Sequence, residues 1–67
     1  MMALKKLIGL LPLGEFISIF DAETDELIYN GKLGDMSFRT WLDVKLAEVY
    51  QTYPDYKHDT LNIYIKK

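Results

Sequence analysis

His58 is the only histidine of the chain, and it stands in the run Asp55-Tyr56-Lys57-His58-Asp59. A carboxylate beside a histidine can orient a proton-accepting imidazole, and a serine within reach would complete a nucleophile. Ser18 sits inside an apolar, strand-like run and Ser37 at a helix start, so neither is placed for that role. Asp55, His58 and Asp59 also carry metal-ligating atoms, but Lys57 among them opposes a cation. A second cluster, Asp21, Glu23, Asp25 and Glu26, is acidic. Paired carboxylates do acid–base work only in a cleft that drives their pKa values apart, and these four read as a solvated turn. They lack the D-x-D-x-D-G spacing of a calcium loop, and Gly31-Lys32-Leu33-Gly34 is too short to cradle a phosphate. With no cysteine, disulfides and thiolate metal centres are excluded. The expectation is a non-catalytic protein without a cofactor or metal.

The aromatic residues offer a different chemistry. Tyr29, Tyr50, Tyr53, Tyr56 and Tyr64 are many for 67 residues, and one Trp and three Phe join them. Tyrosine brings a large rigid contact area and a hydroxyl, the composition of binding surfaces. Tyr50 and Tyr64 fall opposite the apolar positions of their strands, and Tyr29 sits in the return strand of a hairpin. These three, Tyr29, Tyr50 and Tyr64, form the candidate partner-binding surface. Three arrangements fit: the sheet face that carries them is open, the first helix covers that face as core, or the tyrosines stand singly on the surface. An open aromatic face could also stack unpaired bases, but the lysines are scattered at Lys5, Lys6, Lys66 and Lys67, without a basic groove.

The elements that must position these side chains are legible in part. Leu4, Leu7, Ile8 and Leu11 follow helical spacing, and Pro12 is expected to stop that helix. The apolar runs Phe16–Phe20 and Leu27–Tyr29 flank the polar hexapeptide Asp21–Glu26 and predict a β-hairpin. Ile17 and Ile19 are expected to face the core. The register has two solutions: Asp21 opposite Glu26 puts Ile19 across from Ile28, and a one-residue slip puts Leu27 and Tyr29 beside Ile17 and Ile19. Ser37 is a good N-cap for a second helix, with Met36 placed to pack on Trp41 as a staple. Phe38, Trp41 and Leu42 are its expected buried stripe, and Arg39 and Asp43 are spaced to pair. That periodicity can be extended to Tyr53, but the β-branched and aromatic run Val49–Tyr53, followed by Pro54-Asp55, favours a strand near Glu48–Tyr53. Leu61, Ile63 and Ile65 alternate along a final strand.

Taken together, the elements predict an α+β fold, a small antiparallel sheet of two hairpins in the order α-β-β-α-β-β, forming one small domain over residues 1–67. Nearly half the residues are hydrophobic, enough for a core. Ten acidic residues against eight basic ones give a net charge of −2, which lacks the footprint of a duplex DNA binder. The N-terminal apolar run is short, is broken by Pro12 and precedes no small-residue cleavage site, so it is read as a helix and not as a signal peptide. No run is long enough for a membrane helix.

Leu10-Leu11-Pro12, then Ile19-Phe20-Asp21 to Glu26-Leu27-Ile28-Tyr29-Asn30-Gly31-Lys32, then Gly34-Asp35-Met36, and finally Leu61-Asn62-Ile63-Tyr64-Ile65 form a pattern of spacing. In this the chain resembles a loose group of small proteins found in phages and prophages of Gram-positive bacteria. The resemblance implies a mobile-element origin and a cytoplasmic location, and carries over no catalytic residue. The expected function is a small interaction module that binds a protein partner or itself, as an oligomer, through a tyrosine-rich sheet face or an edge strand. Single-stranded nucleic-acid binding on the aromatic face is the alternative.

Overall fold

The computed structural model describes residues 2–67. Helix α1 (Leu4–Ile8) precedes strands β1 (Phe16–Asp21) and β2 (Leu27–Lys32), a 3-10 turn at Leu33–Asp35, helix α2 (Phe38–Val44), and strands β3 (Glu48–Asp55) and β4 (Thr60–Lys66). The element order is the expected one, and β3 takes over where the helical reading of 46–53 would have continued. The sheet itself corrects the expectation of a purely antiparallel one. Its order is β2-β1-β4-β3, with both hairpins antiparallel but β1 and β4 parallel at the centre. Parallel pairing needs a long crossover, and β2, α2 and β3 supply it. The two hairpins are thus disposed about a pseudo-dyad that runs along the strands between β1 and β4.

The first turn is built from its own side chains. Asp21 Oδ1 accepts from the Glu23 amide at 2.8 Å, Thr24 Oγ1 from the Glu26 amide at 3.3 Å, and Asp25 takes a left-handed φ of 60°. Both proposed registers prove half right. Asp21 N–H donates to the Glu26 carbonyl and Phe20 opposes Leu27, but Ile28 is bulged out and Ile19 then opposes Tyr29. The bulge is what sends Tyr29 to the same face as Ile17 and Ile19.

That face carries the core. Leu4, Ile17, Ile19, Val44, Ile63 and Ile65 are fully buried, with Leu33 and Ala47 nearly so. Two short helices cover it. Helix α1 ends at Ile8, four residues ahead of Pro12, and the chain continues to Leu11 in tight turns, Leu10 N–H to Leu7 and Leu11 N–H to Ile8. Its entry is tied to the start of β3: Leu4 N–H donates to Ala47, Val49 N–H to Met2, and Ala3 bridges Glu48. Ser37 caps α2 as expected, its hydroxyl oxygen accepting from the Thr40 amide at 3.2 Å. The expected stripe of α2 is corrected. Trp41 packs on the core with Met36, but Phe38 is 73% and Leu42 48% exposed, and Val44 is the buried residue. The packed face is rotated by roughly a quarter turn from the periodicity reading, since two turns of helix leave the phase to be fixed by what the sheet offers. Arg39 and Asp43 form no ion pair among the described residues.

Candidate partner-binding face

Side chains at alternate strand positions point to opposite faces, so burying Ile17, Ile19, Ile63 and Ile65 sends Phe16, Ser18, Phe20, Asn62 and Tyr64 to the other side. Neither helix of the described residues lies there. The pairing fixes three rows that cross all four strands in the order β2-β1-β4-β3. The first is Lys32, Phe16, Thr60 and Asp55. The second is Asn30, Ser18, Asn62 and Tyr53. The third is Leu27, Phe20, Tyr64 and Gln51. Beyond the third row a second bulge, at Tyr50, places its ring under Lys66 Nζ, 4.5 Å from the centroid.

The rows differ in character. In the third, Phe20 and Tyr64 stack at 5.0 Å with an interplanar angle of 18°, and Tyr53 of the second row meets Tyr64 edge-on at 5.7 Å. Strands spaced ~4.8 Å apart impose this, since two large rings side by side can only stand upright and face each other. Each such pair is worth about 0.5–1.5 kcal/mol beyond its area. The middle row is a neutral hydrogen-bonding strip. Asn30 donates to Ser18 Oγ at 2.7 Å, which explains how a serine at 5% exposure is accommodated there. The first row carries charge only at its ends, with Lys32 Nζ over the Phe16 ring at 5.6 Å and Asp55 at the opposite edge.

Of the three residues the sequence nominated, the structure brings two together. Tyr64 is the centre of the aromatic cluster and Tyr50 lies at its margin, among the residues Ala22, Gln51 and Tyr53. Tyr29 is elsewhere. It lies on the helix side, packs against the core, and donates its hydroxyl to the Lys32 carbonyl at 2.6 Å. Burial, with the Asp35 carboxylate as the lesser cause, pushes its phenol pKa above the ordinary value. Phe16, Phe20 and Tyr53 are the face residues the nomination left out. The alternation of Phe16 and Phe20 against Ile17 and Ile19 was the signal that carried the two phenylalanines.

The polar candidates resolve as turn chemistry. Asp55 Oδ2 meets His58 Nδ1 at 2.8 Å, and Asp55 Oδ1 accepts the His58 amide at 3.2 Å. Those hydrogen bonds, the side-chain one first, hold the Asp55 carboxyl below its usual range. The pair sits in an exposed β3–β4 turn with Asp59 at φ 51°. Among the described residues no three His, Asp or Glu side chains are grouped to hold a metal, and no helix is long and apolar enough to cross a membrane. On the helix side, Ile8, Leu13, Leu33, Met36, Phe38 and Trp41 line an apolar groove of about 280 Å³ that contains no titratable group.

Fold and face together define a small α+β protein with a four-stranded mixed sheet covered on one side only. No family model matches the chain, and no curated protein or solved structure gives a significant match.

Proposed function

We propose that this chain is a non-catalytic interaction module that binds a protein through the open face of its sheet. The observation that carries the reading is the continuous band Leu27, Phe20, Tyr64, Tyr53 and Tyr50, apolar at its centre and bordered by a neutral amide strip, on a face that no helix covers. Aromatic surface with adjacent uncharged hydrogen-bonding groups is the composition of protein interfaces. The small size, and the resemblance of its spacing pattern to phage and prophage proteins, support a role as a small partner-directed factor of such an element, acting in the cytoplasm.

The face has more support than an edge strand. Both edges are interrupted, β2 by the bulge at Ile28 and β3 by the bulge at Tyr50 and by Pro54, which has no N–H to offer. Single-stranded nucleic acid has less support as well. Base stacking needs free ring faces. Here Phe20 and Tyr64 occupy each other, and Lys32 and Lys66 cover Phe16 and Tyr50.

The test is recovery of a partner from a lysate on immobilised protein, followed by titration of the purified partner against wild type, Tyr64→Ala, Tyr50→Ala and the helix-side control Leu42→Ala. Loss of affinity confined to the first two supports the reading, and loss confined to the control overturns it. A gel shift with single-stranded oligonucleotides at low salt that disappears as salt is raised would favour the nucleic-acid alternative.

A further inference from the structure

Each of the three rows of the open face crosses all four strands, and this bears on what can cover them. Consider two copies packed face to face about a two-fold axis parallel to the strands. The operation keeps each row at its own height and exchanges the β2 side of one copy for the β3 side of the other. The aromatic row then falls on the aromatic row, Phe20 on Tyr64 and Leu27 on Gln51. The amide row falls on the amide row, Ser18 on Asn62 and Asn30 on Tyr53. In the first row Lys32 of each copy falls on Asp55 of the other, so both end charges are met by their opposites.

A two-fold axis across the strands fails the same comparison. It would lay Leu27, Phe20, Tyr64 and Gln51 on Lys32, Phe16, Thr60 and Asp55, setting charged ends against apolar and uncharged groups.

We infer that the occupant of the open face is a second copy of this chain, in a symmetric sandwich with its dyad along the strands. The inference rests on the sheet face being the binding surface, and it names the partner. It requires only that the two sheets pack aligned, about 10 Å apart, as sheets with parallel mean strand directions do. Four strands ~4.8 Å apart and three rows ~6.8 Å apart make a patch on the order of 400 Å² per copy. The total is below the roughly 1,200 Å² at which stable interfaces begin, so the dimer is weak.

Sedimentation of the intact chain from about 10 µM to about 1 mM tests this. Wild type should show a concentration-dependent shift toward dimer. Lys32→Glu should raise Kd about tenfold, because two like-charged pairs replace two opposite ones, and Lys32→Glu with Asp55→Lys should recover it to within about threefold. Should Asp55→Lys disturb the β3–β4 turn, the exposed positions Leu27 and Gln51 give a paired test two rows away: Leu27→Lys should weaken association, and adding Gln51→Glu should recover part of it. Monomer throughout overturns the dimer, while Tyr64-dependent binding of another protein would still stand. Failure of both paired substitutions to recover association overturns the arrangement. A dimer indifferent to Tyr64→Arg overturns both the arrangement and the use of this face.

Discussion

Gly31→Ala is expected to be one of the most damaging small substitutions in the chain. Gly31 lies in β2 with a φ of +150°, a backbone conformation that side-chain-bearing residues rarely adopt. It pairs with Ile17 on the helix side, and the Tyr29 ring from two residues earlier lies across it. A Cβ there would stand 3.0 Å from the Tyr29 hydroxyl oxygen and 3.4 Å from its Cζ. The backbone strain is worth about 1–3 kcal/mol. Moving the ring aside is possible, because its far end is flexible, but that breaks the 2.6 Å hydrogen bond to the Lys32 carbonyl, about 0.5–1.5 kcal/mol more. The sum is about 2–4 kcal/mol against a total stability of roughly 3–10 kcal/mol for a domain of this length. At about 4–8 °C per kcal/mol, Tm should fall by about 8 °C or more. Urea unfolding followed by the fluorescence of Trp41 reads the change directly. Tyr29→Phe separates the contributions: alone it should cost only the hydrogen bond, about 1 kcal/mol. In the Tyr29→Phe background, Gly31→Ala should cost less than it does alone, because the hydrogen bond is already gone. A Gly31→Ala protein that melts within about 3 °C of wild type would refute both the strain and the ring contact.

Three further outcomes follow from the same structure. Val44→Ala should cost about 1–3 kcal/mol and Leu42→Ala less than about 1 kcal/mol, the reverse of what the periodicity of α2 implies; equal denaturation midpoints would contradict the observed helix phase. Ser37→Ala should cost about 1 kcal/mol, and Ser37→Asp should restore most of it, measured by thermal melts. The Asp55 carboxyl, lowered by His58, adds stability that is present above its unfolded pKa and lost as pH falls through its lower folded value. In dilute protein the Tm gap between wild type and Asp55→Asn should therefore be visible near pH 6 and close toward pH 2, and a gap independent of pH would remove the Asp55–His58 bond as its cause.

Local features were legible in the sequence and long-range ones were not. The hairpin of Phe16–Asp21 with Leu27–Lys32, the Ser37 cap and the β3 strand all follow from residue types a few positions apart. The parallel seam of β1 on β4 joins segments with three elements between them, and no local pattern encodes which central strands meet. The bulges at Ile28 and Tyr50 each insert one residue, and they decide that Tyr29 turns inward while Tyr50 stays with the open face. Gly31 was a readable hint of close approach, since glycine within a strand often marks a place where another group comes near. For the candidate face, Tyr50 and Tyr64 were found from alternation against the core positions. Tyr53 was not, because its place depends on the β3 bulge.

The seam between β1 and β4 also governs how this protein comes into being. Hairpin β1–β2 can form early, but its apolar face has Ile17 and Ile19 and only part of a neighbour until β4 arrives with Ile63 and Ile65. Strand β3 likewise has no sheet partner before β4, which is its one neighbour in the sheet. The last strand in the chain is therefore the keystone, and the sheet closes in one late, non-local step. Such pairing slows folding relative to local topologies, and during synthesis the aromatic strand Phe16–Asp21 must wait with an unpaired edge. Folding should be all-or-none, and the rate of closure should respond to substitutions at Ile63 more than to those in the first turn.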